Sequence, residues 1–294
     1  MSSIDQDGFH HRFFDVSGVR LHAALHGPPK GDLVVLLHGF PEYWGAWKHQ
    51  LRALADAGFY AVAPDLRGYN LSDRPAGVAA YSIEKLSGDV AALIRALGRD
   101  QAVVVGHDWG GGVAWDVAMR FPDVVKKLVV MNCPHPKRMA DGLRNARQMR
   151  KSWYMFFFQI PWLPERLLAT DDYRGLRRTF AKILPPAEVE GFIEAARNAG
   201  GLRGGVNYYR AMFRKIWSPS MKKEVIRPIQ CPVRVLWGRP DAFLGDEIAE
   251  PPTDLVPHAR TVWIDGGTHW VQNKAPERVN EELISFVRPN GGHN

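Results

Sequence analysis

Cysteine is nearly absent from this chain: among 294 residues there are only Cys133 and Cys231, far apart and outside any metal-ligand spacing. That excludes a disulfide scaffold and a zinc ribbon, and both thiols are expected to be inert. Long apolar runs are missing as well. Stretches such as 33–37 and 102–106 have the length of strands, far short of the roughly 20 residues a membrane-crossing helix needs, so no membrane insertion is expected. The opening MSSIDQDGFHH carries two Asp before any Arg or Lys and has no apolar run, the opposite of a secretory leader, which points to a cytoplasmic location. Tandem repeats and low-complexity segments are lacking. The net charge of +7 comes from Lys and Arg mostly scattered among acids. The exception is 137–151, where Lys137, Arg138, Arg144, Arg147, Arg150 and Lys151 meet a single acid, Asp141. No nucleic-acid-binding module accompanies that stretch, so a solvated helix face is expected there and no nucleic-acid partner.

What is present is enough for one substantial core, with 46% hydrophobic and 23% charged residues. Runs of β-formers predict strands at 13–16, 19–24, 33–37, 60–63, 102–106, 128–131, 233–236 and 261–264. The later ones are near-continuous Val, Leu and Ile, the pattern of strands buried on both faces of a parallel sheet. Between two of them Leu86, Val90, Leu93, Ile94 and Leu97 recur at helical spacing, and Gly98 follows as a stop, so a helix is expected over 82–97. A closing helix is expected around 276–286. The stretch 134–228 breaks the rhythm: it is rich in Arg, Pro and aromatics, helical in pattern and without a convincing buried strand. The reading is an α/β fold with a mostly parallel central sheet flanked by helices. Residues 1–133 and 229–294 form its core, and 134–228 form an inserted helical lid. The tail from Pro289 to Asn294 has no apolar anchor and is expected to fray.

The chemical signal is VVVGHDWGG at 103–111, a buried strand running through Gly-x-Asp-x-Gly into a helix. Gly106 and Gly110, two before and two after Asp108, are the steric requirement of a nucleophile elbow, a tight turn that lifts one side chain above the sheet. Asp is also a common helix N-cap, but a cap does not need those two glycines. A carboxylate in place of the usual Ser attacks an electrophilic sp3 carbon and leaves an alkyl ester that water must then hydrolyse. HGFPE at 38–42 directly follows a strand; there the amide of Phe40 would join that of Trp109 as an oxyanion hole. Late in the chain, DGGTHW at 265–270 places His269 where the nucleophile, acid, base order puts the general base. The acid that orients it is expected at Asp241, in WGRPD after the strand at 233–236, with Asp246 and Glu247 as close competitors. Asn132, at the end of the earlier strand, cannot carry the required charge.

With HGFPE, DLRGYNLSDRP at 65–75, GHDWGG at 106–111, WGRPD at 237–241 and GGTHW at 266–270, the chain resembles the epoxide hydrolases of the α/β-hydrolase superfamily over nearly its whole length. Asn70 stands where that family often has Gly. The resemblance implies the α/β-hydrolase fold, an epoxide and water as substrates, and no metal, nucleotide or other cofactor. It also implies two lid tyrosines that hold the epoxide oxygen, which transfer here to Tyr154 and Tyr209, with Tyr208 the neighbour that a one-residue shift would choose. Two neutral phenols suit the task, because ring opening creates an alkoxide that needs stabilising and a proton. Trp109, Phe158 and Trp270 are candidate pocket walls, and the run Phe156–Phe158 with Trp153 suggests an apolar site. Association into a homo-oligomer is compatible with the sequence. Two rival readings remain: a haloalkane dehalogenase, which resembles this chain in having Trp after the Asp but commonly places Asn where Phe40 stands, and a non-catalytic binding protein on a hydrolase scaffold.

Overall fold

The computed structural model describes residues 3–5, 7–217 and 226–288. In chain order the strands are β1 (Ser3–Ile4), β2 (His10–Val16), β3 (Val19–His26), β4 (Leu33–Leu37), β5 (Tyr60–Pro64), β6 (Ala102–His107), β7 (Val125–Met131), β8 (Val233–Arg239) and β9 (Ala259–Asp265). They make one sheet in the order β1-β2-β3-β5-β4-β6-β7-β8-β9. The pairings β1/β2, β2/β3 and β3/β5 are antiparallel, and every pairing from β5/β4 to β8/β9 is parallel. The eight strands expected from the sequence are β2–β9; the short edge strand β1 carries no pattern of its own.

Alternation along each buried strand supplies two cores. In β4, Val34 and Leu36 point to one face and Val35 and Leu37 to the other, and none is exposed. The helices are α1 (Lys48–Asp56), α2 (Ile83–Ala96), α3 (Trp109–Arg120), α4 (Pro136–Gly142), α5 (Ala146–Lys151), α6 (Trp153–Phe157), α7 (Leu163–Phe180), α8 (Pro186–Asn198), α9 (Arg203–Trp217), α10 (Val271–Lys274) and α11 (Pro276–Val287). Leu86, Val90 and Ile94 of α2 and Val113 and Val117 of α3 cover the first face. Leu51 and Leu54 of α1 with Val279 and Leu283 of α11 cover the second. Each such fully buried side chain contributes about 1.5–3 kcal/mol of transfer free energy.

Helices α4–α9 all lie between β7 and β8, and among the described residues this insertion contains no strand. Its attachment to the core is polar as well as apolar. Tyr208 donates from its hydroxyl to the Arg67 carbonyl at 2.9 Å. Arg67 is itself fixed by two hydrogen bonds to the buried Asp89 carboxylate, at 2.7 and 2.6 Å. Asn70 has φ 41°, a left-handed position that Asn tolerates better than most residues. Its amide also bonds Asp65 at 2.8 Å and its carbonyl accepts from Asn198 of α8 at 3.0 Å, contacts a glycine would lack. Among the described residues no helix is long and apolar enough to cross a membrane. The tail at 289–294 lies outside the described residues, as does part of 134–228.

Candidate active site

The turn from β6 into α3 puts Asp108 at φ 49° and ψ −119°, a conformation disfavoured for any residue with a Cβ. Close packing enforces it. A Cβ on Gly106 would sit 2.2 Å from the Gly110 carbonyl oxygen, and one on Gly110 would sit 2.1 Å from the Leu37 carbonyl oxygen, so strand, helix and β4 can meet only over bare backbone. The carboxylate this raises is fixed at one oxygen: the Phe40 amide donates to Asp108 Oδ1 at 2.8 Å. Trp109 opens α3, so its amide has no acceptor within the helix.

His269 follows β9. Its Nε2 lies 3.5 Å from Asp108 Oδ2 and its Nδ1 lies 2.7 Å from Asp241 Oδ2. Asp241, after β8, is a well-supplied acceptor. Its Oδ1 takes the amides of Phe243 and Leu244 at 2.7 and 3.0 Å, and its Oδ2 takes Asn132 Nδ2 at 2.8 Å. The competing acids Asp246 and Glu247 make no hydrogen bond to His269. Asn132, rejected as the acid, is a donor to it. Burial alone would neutralise these groups, but their mutual charges win. Burial pulls His269 down, yet Asp241 and Asp108 together hold it up at about 10. Burial raises Asp108 and Asp241, yet contacts with His269 keep both below the ordinary aspartate value.

Directly beneath lies a buried network that the sequence reading missed. His107 Nδ1 is 2.9 Å from Glu42 Oε2, and His107 Nε2 is 2.9 Å from the His269 carbonyl. Gln272 donates to Glu42 Oε1 at 3.0 Å, while Glu42 Oε2 accepts the Gly39 amide at 2.7 Å. These residues come from the loop after β4, the end of β6 and the segment running from the loop after β9 into α10, and the network ties the loop carrying Phe40 to the loop carrying His269. Glu42 and His107 stand inside HGFPE and GHDWGG, so the signal was their being polar where a strand end is wholly buried.

Side chains of the insertion pack against the elbow. Tyr154 of α6 and Tyr209 of α9 meet edge to face, ring centres 5.8 Å apart, and the Trp109 indole stands edge to face against Tyr209 at 4.9 Å. Tyr208 points elsewhere, to Arg67. Burial pushes both Tyr154 and Tyr209 well above the ordinary tyrosine range, with the Asp108 charge adding to it, so both remain neutral donors. Phe158 packs against Phe40, Tyr154 and Tyr209. Trp270 stands beside His269 and Phe243, and Phe243 in turn touches Tyr154. Two expectations need correction. Trp153 and Phe156 are 64% and 46% exposed, so of the aromatic run only part faces inward; α6 has five residues and turns the others to solvent. The basic stretch is not merely solvated either, because Lys151 donates to the carbonyls of Asp241 and Leu244 at 2.5 and 3.1 Å. Both cysteines are free, and burial pushes the Cys133 thiol well above its ordinary pKa.

This arrangement, a carboxylate on an elbow with a histidine and an acid on the next strand ends, agrees with the relatives of the chain. A family model described as the alpha/beta hydrolase fold matches residues 32–276. The chain is 36% identical to the AB hydrolase superfamily protein YfhM of Bacillus subtilis, over 96% of this chain and 99% of that one. It is 37% identical to epoxide hydrolase 1 of Caenorhabditis elegans, over 96% of this chain and 71% of the relative. Among solved structures it matches the Bacillus megaterium epoxide hydrolase in complex with an inhibitor with a TM-score of 0.86 and 31% identity, over 94% of this chain and 99% of the other. Epoxide hydrolase A from Mycobacterium thermoresistibile matches with a TM-score of 0.84, also at 31% identity, over 95% and 98%. The chain belongs to the α/β-hydrolase superfamily and, within it, to the epoxide hydrolase group.

Proposed function

We propose that the protein opens an epoxide to a vicinal diol in two steps on Asp108. The observation that carries this reading is one carboxylate held at Oδ1 by the Phe40 amide, 2.8 Å away, with its other oxygen 3.5 Å from His269 and two neutral phenols near enough to feel its charge. Oδ2, the oxygen that the Phe40 amide leaves free, attacks an epoxide carbon and the C–O bond of the ring breaks. The electron pair stays on the epoxide oxygen, which takes hydrogen bonds and then a proton from Tyr154 or Tyr209. The product of this step is an ester of Asp108. Water deprotonated by His269 then adds to the ester carbonyl, whose oxygen already lies at the Phe40 amide and takes its second donor from Trp109. Collapse expels the second diol oxygen, which takes a proton from the imidazolium. The Asp108 acid so formed returns a proton to His269, and the tyrosinate left by ring opening regains the proton that His269 shed on esterification, with Asp241 stabilising the imidazolium whenever it forms. The helices of 134–228 serve as a lid that supplies the phenols and excludes bulk water. Glu42, His107 and Gln272 hold the two catalytic loops in register.

Timing of the base follows from charge. In the resting site His269 stands between two carboxylates and is protonated at neutral pH. Esterification removes the charge of Asp108, so the histidine loses one of its two supports and can shed its proton when a base is needed. Acid therefore slows the second step and spares the first. Below neutrality His269 stays protonated in the ester and hydrolysis slows. Asp108, which contacts with His269 hold below the ordinary aspartate value, stays ionised over this range and continues to attack. Stopped-flow and acid-quench measurements from pH 8 to 5 should show the ester accumulating as the pH falls, whereas an ester fraction that does not change would remove His269 from the second step.

The phenols divide the reading from its dehalogenase rival. With styrene oxide and 1-bromobutane offered in parallel, diol should form and bromide should not be released. Tyr154→Phe and Tyr209→Phe should each slow ring opening by about 10²-fold, while Tyr208→Phe should act on thermal stability and leave ring opening within a few-fold. Bromide release that survives loss of both phenols would make the chain a dehalogenase.

A further inference from the structure

Helix α9 has two chemically different faces. Arg203, Asn207, Arg210 and Arg214 recur at intervals of four, three and four residues and form one stripe. All four line an open groove of about 970 Å3 on the outside of the inserted helices. Tyr209 lies about 130° round the helix from the centre of that stripe, at 100° per residue. None of the residues that surround Asp108 lines the groove; its opposite wall is Trp162, Arg166 and Tyr173, at and within α7.

The charges facing the groove are unbalanced. Arg210 is neutralised by Glu165, and Arg197 by Asp172 and Glu190. Among the described residues Arg166, Arg203 and Arg214 have no carboxylate partner. Asn207 is 5% exposed, accepts from Arg210 at 3.4 Å through its carbonyl, and its amide nitrogen has no acceptor among the described residues. Among the described residues the unpaired charges of the groove are thus all positive, and the Asn207 amide adds a donor beside them. Alongside stands apolar surface: Trp162, 65% exposed and held at φ 54°, with Leu202 and Val78.

We propose that this groove binds an amphiphilic carboxylate, its head group on the stripe formed by Arg203, Asn207 and Arg214 and its hydrocarbon part along Trp162. Guanidinium groups match a carboxylate in charge and in donor geometry, and the volume falls within the range that holds small ligands. The site is independent of the proposed chemistry at Asp108. Calorimetric titration of the full chain should show decanoate binding at one site. The neutral counterpart 1-decanol and inorganic phosphate should each bind at least about tenfold more weakly, since one lacks the charge and the other the apolar part. The triple variant Arg166→Ala/Arg203→Ala/Arg214→Ala should lose at least about tenfold in decanoate affinity with its unfolding midpoint unchanged, and the single charge reversal Arg203→Glu should weaken decanoate on its own. Asp108→Gly should bind decanoate as the parent does. Decanol or phosphate binding as tightly as decanoate, or arginine variants that bind it normally, would overturn the proposal.

Discussion

Replacing Asp108 by Gly should abolish diol formation from styrene oxide, with a loss of about 10⁴-fold or more, in a protein that remains folded. No other group near the elbow can take over. His269 is hydrogen-bonded to Asp241, the phenols of Tyr154 and Tyr209 are kept protonated by burial, and Cys133 is held as the thiol. Glycine is the informative substitution because the backbone at this position, φ 49° and ψ −119°, suits it. Relief of backbone strain, about 1–3 kcal/mol, offsets the lost hydrogen bond from Phe40 to a charged carboxylate, about 1.5–3 kcal/mol. The unfolding midpoint should therefore change little while turnover vanishes. Residual diol at a tenth of the parent rate would require a different nucleophile.

Replacing His269 by Gln should separate the two steps. The carboxylate of Asp108 keeps its Phe40 donor and the phenols keep theirs, so ring opening proceeds once. Water is then left without its base, and the ester persists. Mixing this variant with excess styrene oxide should consume one equivalent per chain in a burst and then stop, with steady-state turnover down by about 10³-fold or more. Mass spectrometry of the intact protein should find one added substrate, on the peptide containing Asp108. A variant that neither turns over nor becomes labelled would place His269 in ring opening instead.

The parts of this site that were legible in the sequence are those where a local rule demands a particular residue. Strands β4 and β6 announce themselves because burial on both faces leaves apolar residues throughout, save for His107 at the end of β6. The elbow is visible because Gly106 and Gly110 are the only residues that fit against the Gly110 and Leu37 carbonyls. The choice between Tyr208 and Tyr209 needed coordinates: adjacent residues on α9 differ by 100° in direction, and what separates them is a bond from Tyr208 to Arg67, 141 positions away. The network of Glu42, His107 and Gln272 was illegible for the same reason, since its members meet only when three separate segments converge. The inward and outward aromatics of α6 could not be sorted, because a helix of five residues shows no periodicity.

The second inserted helix makes a contact that bears on how the molecule is put together. Lys151 holds the carbonyls of Asp241 and Leu244, and Gln148 donates to the Phe243 carbonyl at 3.0 Å and accepts from the Gly245 amide at 2.8 Å. Helix α5 therefore serves as a splint for the very loop that carries the acid. On the proposed mechanism α5 cannot swing away during turnover, since displacing it would take Asp241 out of line with His269. Chain order adds a sequence in time. During synthesis Asp108 is made first, α5 second and the Asp241 loop last, so the loop closes onto a helix already made.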